Sequence, residues 1–240
     1  MTPTSTETNT STNTPTATPT PTTTNTPTAT ATATNSPTPT PSLPDCYVGL
    51  PPGATPSDDT FLRVSSPTSN FGTQPEIEVR PDNGANRRGL IRFDLSAIPQ
   101  GSTVTSATLY LFEKDKKLDQ VTYLYRINSP WDENTVTWNF PWTTPGGDFD
   151  NSRAYASFLP NQSNCMLTLD LTDLVQEWVA GTPNYGFLLY SIGPNHILRY
   201  ASKENGVVDQ HPRLAVNYIE STPGISYLDI LRDSFNLRRR

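Results

Sequence analysis

Trp131-Asp132-Glu133, followed at close range by Thr137-Trp138, is the densest group of chemically useful side chains in the sequence. Indole faces stack on apolar C–H surfaces such as those of a sugar ring, and neighbouring carboxylates accept hydrogen bonds from hydroxyls or bind Ca2+. The same residues also have a structural reading, in which two tryptophans wedge a loop against a core and Glu133 caps backbone amides at a turn. Trp142, Tyr155 and Phe158 follow in a stretch rich in Pro, Gly and Asn that shows no strand pattern and reads as a long loop. Aromatics on such a loop are candidates for contact with a ligand, Trp142 and Tyr155 foremost.

Arginines supply a second chemistry. If Leu62, Val64, Ile77, Val79, Ile91 and Phe93 point inward, the pleat turns Arg63, Arg80, Arg88 and Arg92 to the outer face of the early strands. A strip of guanidinium forks would pair with the carboxylates of an acidic polysaccharide. Glu76 and Glu78 share the outward parity, however, so the alternative is a face of cross-strand ion pairs, each usually worth less than about 1 kcal/mol. Lys114, Lys116 and Lys117 around Asp115 read as the solvated tip of a hairpin.

Catalytic machinery is hard to assemble from this chain. The two histidines, His196 and His211, lie in no Gly-rich elbow and near no convincing nucleophile. A carboxylate pair of glycosidase type depends on a separation of about 5 to 9.5 Å that only a folded structure reveals. The expectation is therefore no enzyme activity. Calcium is the metal to consider, with Asp58, Asp59, Asp94 or Asp132 as contributors, whereas the His and Cys content excludes the usual structural zinc sites.

The elements that must position these groups are strands. Beyond Pro56 the chain is a series of short β-branched and aromatic runs separated by Gly, Pro, Asn and Asp. Candidates cover 61–64, 77–79, 91–93, 104–112, 121–127, 166–170, 186–191, 197–202 and 213–219. About nine or ten strands without crossover helices predict an all-β antiparallel sandwich. One helix is expected, because Leu171, Leu174, Val175 and Trp178 form a single apolar stripe. Asp170 and Asp173 have capping-box spacing at its start, and Gly181 and Pro183 end it.

The order of the motifs resembles the DNRLRE domain. Ser69-Asn70-Phe71-Gly72 is followed by Arg92-Phe93-Asp94-Leu95-Ser96, Ile98-Pro99, Ser106-Ala107-Thr108-Leu109 and the Trp131 and Trp138 group. Asp170-Leu171-Thr172, Trp178, Asn184-Tyr185-Gly186, Ser202-Lys203-Glu204 and Pro212-Arg213-Leu214 complete the series. The resemblance implies an extracellular, noncatalytic jelly-roll β-sandwich of the type classed with carbohydrate-binding module family 96, which includes binders of alginate-like acidic polysaccharides. It also implies attachment to neighbouring catalytic or surface domains. Because the Trp131 group belongs to this shared pattern, its structural reading takes precedence.

Composition divides the chain. Residues 1–44 are a Thr/Pro-rich tract with too few apolar groups to offset the entropy of ordering, and are expected to be a disordered linker. Residues 45–220 form the sandwich domain, and 221–240 an extension or the start of a further segment ending in Arg238, Arg239 and Arg240. The net charge of −6, with basic residues scattered among acids, argues against nucleic acid. No apolar run is long enough for a membrane span and no signal peptide is apparent, yet Thr/Pro stalks belong outside cells, so the chain is read as a fragment of a longer secreted or surface protein, or one with a misplaced start codon, the alternative being a complete cytosolic protein. The domain is expected to be monomeric. Cys46, at the end of the tract, and Cys165, opening an apolar run, are expected to form a disulfide in an oxidising compartment, the alternative being two free thiols. Two functions stay open: a polysaccharide-binding module, and a structural or adhesive surface module with no glycan ligand.

Overall fold

The computed structural model describes residues 39–41, 46–81, 84–115, 117 and 119–221. The Thr/Pro tract before these positions and the basic C-terminal end lie outside the described residues, as does Lys116. Among the described residues, eleven strands form two antiparallel sheets, and no helix is long and apolar enough to cross a membrane.

The strands are β1 (Cys46–Tyr47), β2 (Asp58–Arg63), β3 (Glu76–Val79), β4 (Arg87–Arg92), β5 (Thr103–Glu113), β6 (Val121–Ile127), β7 (Phe149–Phe158), β8 (Cys165–Asp170), β9 (Phe187–Ile192), β10 (Leu198–Ala201) and β11 (Arg213–Ile219). One sheet runs β1-β8-β5-β10-β3, with β11 also paired to β5; the other runs β2-β4-β9-β6-β7. Non-consecutive neighbours in both sheets give the crossed connections of a jelly-roll sandwich.

Alternation along the strands produces the interface between the sheets. Phe61, Ile91, Leu124, Phe187 and Leu189 from the five-stranded sheet meet Ile77, Val79, Leu109, Leu111, Leu167 and Tyr200 from the other, all buried. Helix α1 (Thr172–Val179), the one α-helix among the described residues, packs Leu174, Val175, Trp178 and Val179 into the same core. Gln176 fastens it to β5 by accepting the Val104 N–H at 2.8 Å. The expected capping box is not formed. Asp170 instead accepts both the N–H and the hydroxyl of Thr172, while Asp173 pairs with Arg153, because the helix begins one residue later than the box requires.

Two further expectations are corrected here. The stretch read as a continuous loop contains β7, where Tyr155 and Phe158 are strand residues. Its polar start and the register shifts opposite Leu124 and Tyr125 erase the period-two pattern that would have revealed it. The assumed pleat also fails for β2, because Leu62 belongs to a second cluster on the far side of the sheet, against which Val64 packs, and Phe61 faces the main core.

Cys46 and Cys165 form a disulfide with Cα atoms 5.4 Å apart, joining β1 to the start of β8. The expected tie between the domain's leading edge and its body is present.

Glu113, at the end of β5, is fully buried, and burial pushes its carboxyl up to about 8 against the opposing Gln162 backbone N–H. An acid whose folded pKa is raised is stabilising only in its neutral form. Its favourable contribution is complete below the unfolded value near 4.5 and is lost as pH rises toward 8. Each pH unit inside that window removes up to about 1.4 kcal/mol. Glu113→Gln is expected to flatten the fall in thermal midpoint between pH 5 and pH 8. Equal slopes in variant and wild type would exclude Glu113 as the source.

Candidate glycan-binding site

A 21-residue connection, residues 128–148, joins β6 to β7 and covers part of the outer face of the five-stranded sheet. Trp131, Val136, Trp138 and Trp142 from this loop pack on Leu62, Leu90, Ile127 and Leu188 beneath it. The indole N–H groups stay bonded inside the layer: Trp131 donates to Tyr185 O at 2.8 Å and Trp142 to Thr137 O at 2.9 Å. Asp148 fastens the far end by accepting bonds from Thr143, Thr144 and Ser129. Burial works against its charge, but these bonds outweigh it and hold the carboxyl below its ordinary value.

Where the loop stops, aromatic rings continue. Tyr123 and Tyr125 share one parity on β6, and Tyr123 lies directly opposite Tyr190 on β9. Phe149 begins β7 beside them. Ring centroids are 6.0 Å apart for Tyr123 and Tyr125, 5.4 Å for Tyr125 and Phe149, and 6.1 Å for Tyr125 and Tyr190. All four rings are half-buried, so each keeps a solvent-facing surface. Burial, with Tyr123 alongside, raises the Tyr125 hydroxyl pKa, which keeps that hydroxyl protonated as a donor.

Arg88 stands at the junction of loop and aromatic row. Its guanidinium lies 5.0 Å from the Trp138 ring and 5.3 Å from both Phe149 and Tyr190. It also donates to Gly146 O at 2.7 Å. Gly146 has a φ of +98°, and a Cβ there would strike both Arg88 and the Trp138 ring, so this approach requires glycine. The result is a shelf: a tryptophan-built wall on one side, a tyrosine floor on the other, and a cation at the step.

The four arginines of the expected strip are not brought together. Arg88 and Arg92 share the outer face, whereas Arg63 is paired in register with Arg87 and lies on the other side of β2, donating to Ser65 Oγ. Arg80, just past the end of β3 in the opposite sheet, bonds Asn195 at 2.5 Å. Arg92 forks onto Asp58 at 2.6 and 2.9 Å and stacks 5.2 Å from Trp131. It lines a cleft of about 580 Å³ with Asp58, Asp94, Ser96, Trp178 and Asn184. Trp142 is only 6% exposed, its ring committed to the packed layer. Tyr155 donates to Glu177 at 2.6 Å beneath the Arg153 guanidinium, and burial followed by the Glu177 bond pushes its hydroxyl up to about 12.

The acids considered for calcium are also separated. Asp58 serves Arg92, Asp94 accepts the Ser96 N–H, and Asp132 accepts the Asn134 N–H. Asp59 alone enters a carboxylate group, with Glu133 from the tryptophan loop and Glu204 beyond β10. Glu133 accepts the Asp59 N–H at 2.8 Å and the Lys203 ammonium at 2.6 Å, so the backbone amide it binds lies on β2 and not at a turn. Burial, then neighbouring carboxylates, raise the pKa of both Asp59 and Glu204.

Residues 53–218 match carbohydrate-binding module family 96. That span is most of the chain. The chain belongs to carbohydrate-binding module family 96. No curated protein matches it. In this family 96 module the shared motifs are chiefly structural: Asn70 donates to the carbonyls of Glu133 and Val136, and Asn184 to that of Phe93, pinning loops to the sandwich. Families of this kind are generally noncatalytic. The residues that sequence reasoning missed, Tyr123, Tyr125, Phe149 and Tyr190, lie outside those motifs. The one signal for them was the Tyr-Leu-Tyr run within β6, where Leu124 between the two tyrosines breaks the alternation of apolar with polar side chains.

Proposed function

We propose that this module is extracellular and noncatalytic and holds a polysaccharide chain along the shelf formed by Tyr123, Tyr125, Tyr190, Phe149 and Arg88. The observation that carries this reading is the row of half-buried rings on one sheet face, ending at a guanidinium. Sugar rings offer apolar C–H faces to such a row and hydroxyls to the tyrosine O–H groups. Arg88 suits a sugar carboxylate, which makes an acidic polysaccharide the favoured class. The Thr/Pro tract acts as a tether to a catalytic or surface domain, raising the local concentration of that partner on its substrate. The disulfide fits an oxidising compartment.

A rival reading, a structural or adhesive module with no glycan ligand, draws on the ion pairs. Arg87, Arg92, Arg126, Arg153, Arg199, Lys114 and Lys203 all meet carboxylates, which leaves their charges compensated within the fold.

Affinity electrophoresis in gels containing alginate, pectin, xylan or cellulose separates the two. Retardation by an acidic glycan that weakens at high salt is the expected result, and no retardation by any of them favours the structural module. Arg88→Ala is expected to weaken that retardation about tenfold in affinity, the scale of one charge-assisted contact of ~1.5 kcal/mol. Retardation unchanged in this variant would remove Arg88 from the site.

A further inference from the structure

We propose that Asp59, Glu133 and Glu204 form a calcium site that clamps three separate segments of the sandwich. One carboxylate oxygen from each residue lies within 4.8 Å of the others. Oxygens held by a central Ca2+ at about 2.3 to 2.6 Å are no more than roughly 5 Å apart, so the spacing suits that ion. The ligands are hard oxygen donors with no imidazole or thiolate among them, which favours calcium over zinc.

Unmet valence points to a ligand here. The Asp59 side chain is 1% exposed, and its Oδ1 is shielded from solvent without a hydrogen-bond donor. Glu204 Oε2 is in the same condition. Donors near the site are already committed: the Lys203 N–H goes to Asp59 Oδ2 at 2.9 Å, and its ammonium to Glu133 and to Ser57 O at 2.6 and 2.7 Å. Buried acceptors left in this way are costly and uncommon in native proteins. Charge gives the same answer. Three carboxylates against the single cation of Lys203 leave two negative charges uncompensated, the charge of one Ca2+.

The placement explains what the ion would do. Asp59 belongs to β2, Glu133 to the tryptophan loop, and Glu204 to the connection between β10 and β11. An ion bound only in the folded state stabilises it by mass action and fixes the loop that forms the wall of the shelf.

The test uses the full chain, stripped with EDTA and dialysed free of it, followed by thermal unfolding and titration calorimetry with CaCl2 and with MgCl2. Calcium at about a hundredfold excess over its dissociation constant is expected to raise the midpoint by roughly 5 °C or more. Glu204→Gln, which preserves shape at a partly exposed position, is expected to abolish most of that rise and weaken calcium binding at least about tenfold, the scale of one lost charge-assisted contact. Asp59→Asn, if it folds, should behave in the same way. Absence of both a midpoint shift and binding heat up to millimolar calcium would overturn the proposal, leaving a proton shared between Asp59 and Glu204. An equal rise in Glu204→Gln, or an equal response to magnesium, would overturn it as well. These readouts contain no glycan, so their failure leaves the polysaccharide reading intact.

Discussion

Replacing Tyr125 and Tyr190 together by Ala is expected to weaken polysaccharide binding about 10- to 100-fold. Each aromatic contact of this kind is worth about 0.5 to 1.5 kcal/mol beyond the area it covers, and 1.4 kcal/mol is a factor of ten in affinity. Tyr125 has the largest role because its ring touches those of Tyr123, Phe149 and Tyr190, so its loss interrupts the row in the middle. Tyr190 adds a second loss, since it also carries the guanidinium of Arg88 on its face. Both side chains are half-buried, so some stability will be lost, and thermal unfolding must be run beside the binding assay. The paired Tyr125→Phe and Tyr190→Phe variant supplies the control. It keeps the rings and removes only the hydroxyls, and should retain most of the affinity. Wild-type retardation in the Ala double variant would remove the aromatic shelf from consideration.

Breaking the disulfide should have the largest effect on stability. Cys46 and Cys165 close a loop of 119 residues, and a cross-link over about a hundred residues restricts the unfolded chain by roughly 4 to 5 kcal/mol on the loop-entropy scale. Observed losses for native disulfides are about 2 to 5 kcal/mol. For a domain of this size each kcal/mol moves the midpoint by roughly 2 to 4 °C. Cys46→Ala with Cys165→Ala is therefore expected to melt about 5 to 15 °C below the oxidised wild type, with little change in circular dichroism at low temperature. The short β1 should be affected most in the folded state, because it contributes just two residues to its pairing with β8. A midpoint within 2 °C of wild type would show that the cross-link constrains the unfolded ensemble far less than its span requires.

Local patterns in the sequence were sufficient for the sandwich, because period-two alternation and the turn residues between runs are properties of neighbouring positions. The strands β5, β6, β8 and β11 and the stripe of α1 are legible for that reason. The family motifs are legible too, since Asn70, Asn184 and the Trp131 group satisfy backbone groups in loops that the fold cannot omit. β7 is not legible: Asp150, Asn151 and Ser152 follow Phe149 with three polar side chains in a row, and its bulges change the facing of residues partway along.

Legible in the sequence alone were the class of fold and the family, with the two cysteines as a candidate pair whose disulfide is a finding of the structure. Which side chains meet at the candidate site depends on the tertiary arrangement. It divided the arginines between sheets and paired Arg92 with Asp58. It also assembled a tyrosine row from strands that are distant in sequence and brought Asp59, Glu133 and Glu204 within bonding reach of one ion. The physical reason is range. Strand propensity and pleat parity act over a few residues, whereas the facing of a surface depends on which sheet each strand joins, in what register, and what covers it. In this chain a long loop covers part of one sheet face with tryptophan and leaves half-buried tyrosines beside it, and neither outcome is written in the spacing of any single segment.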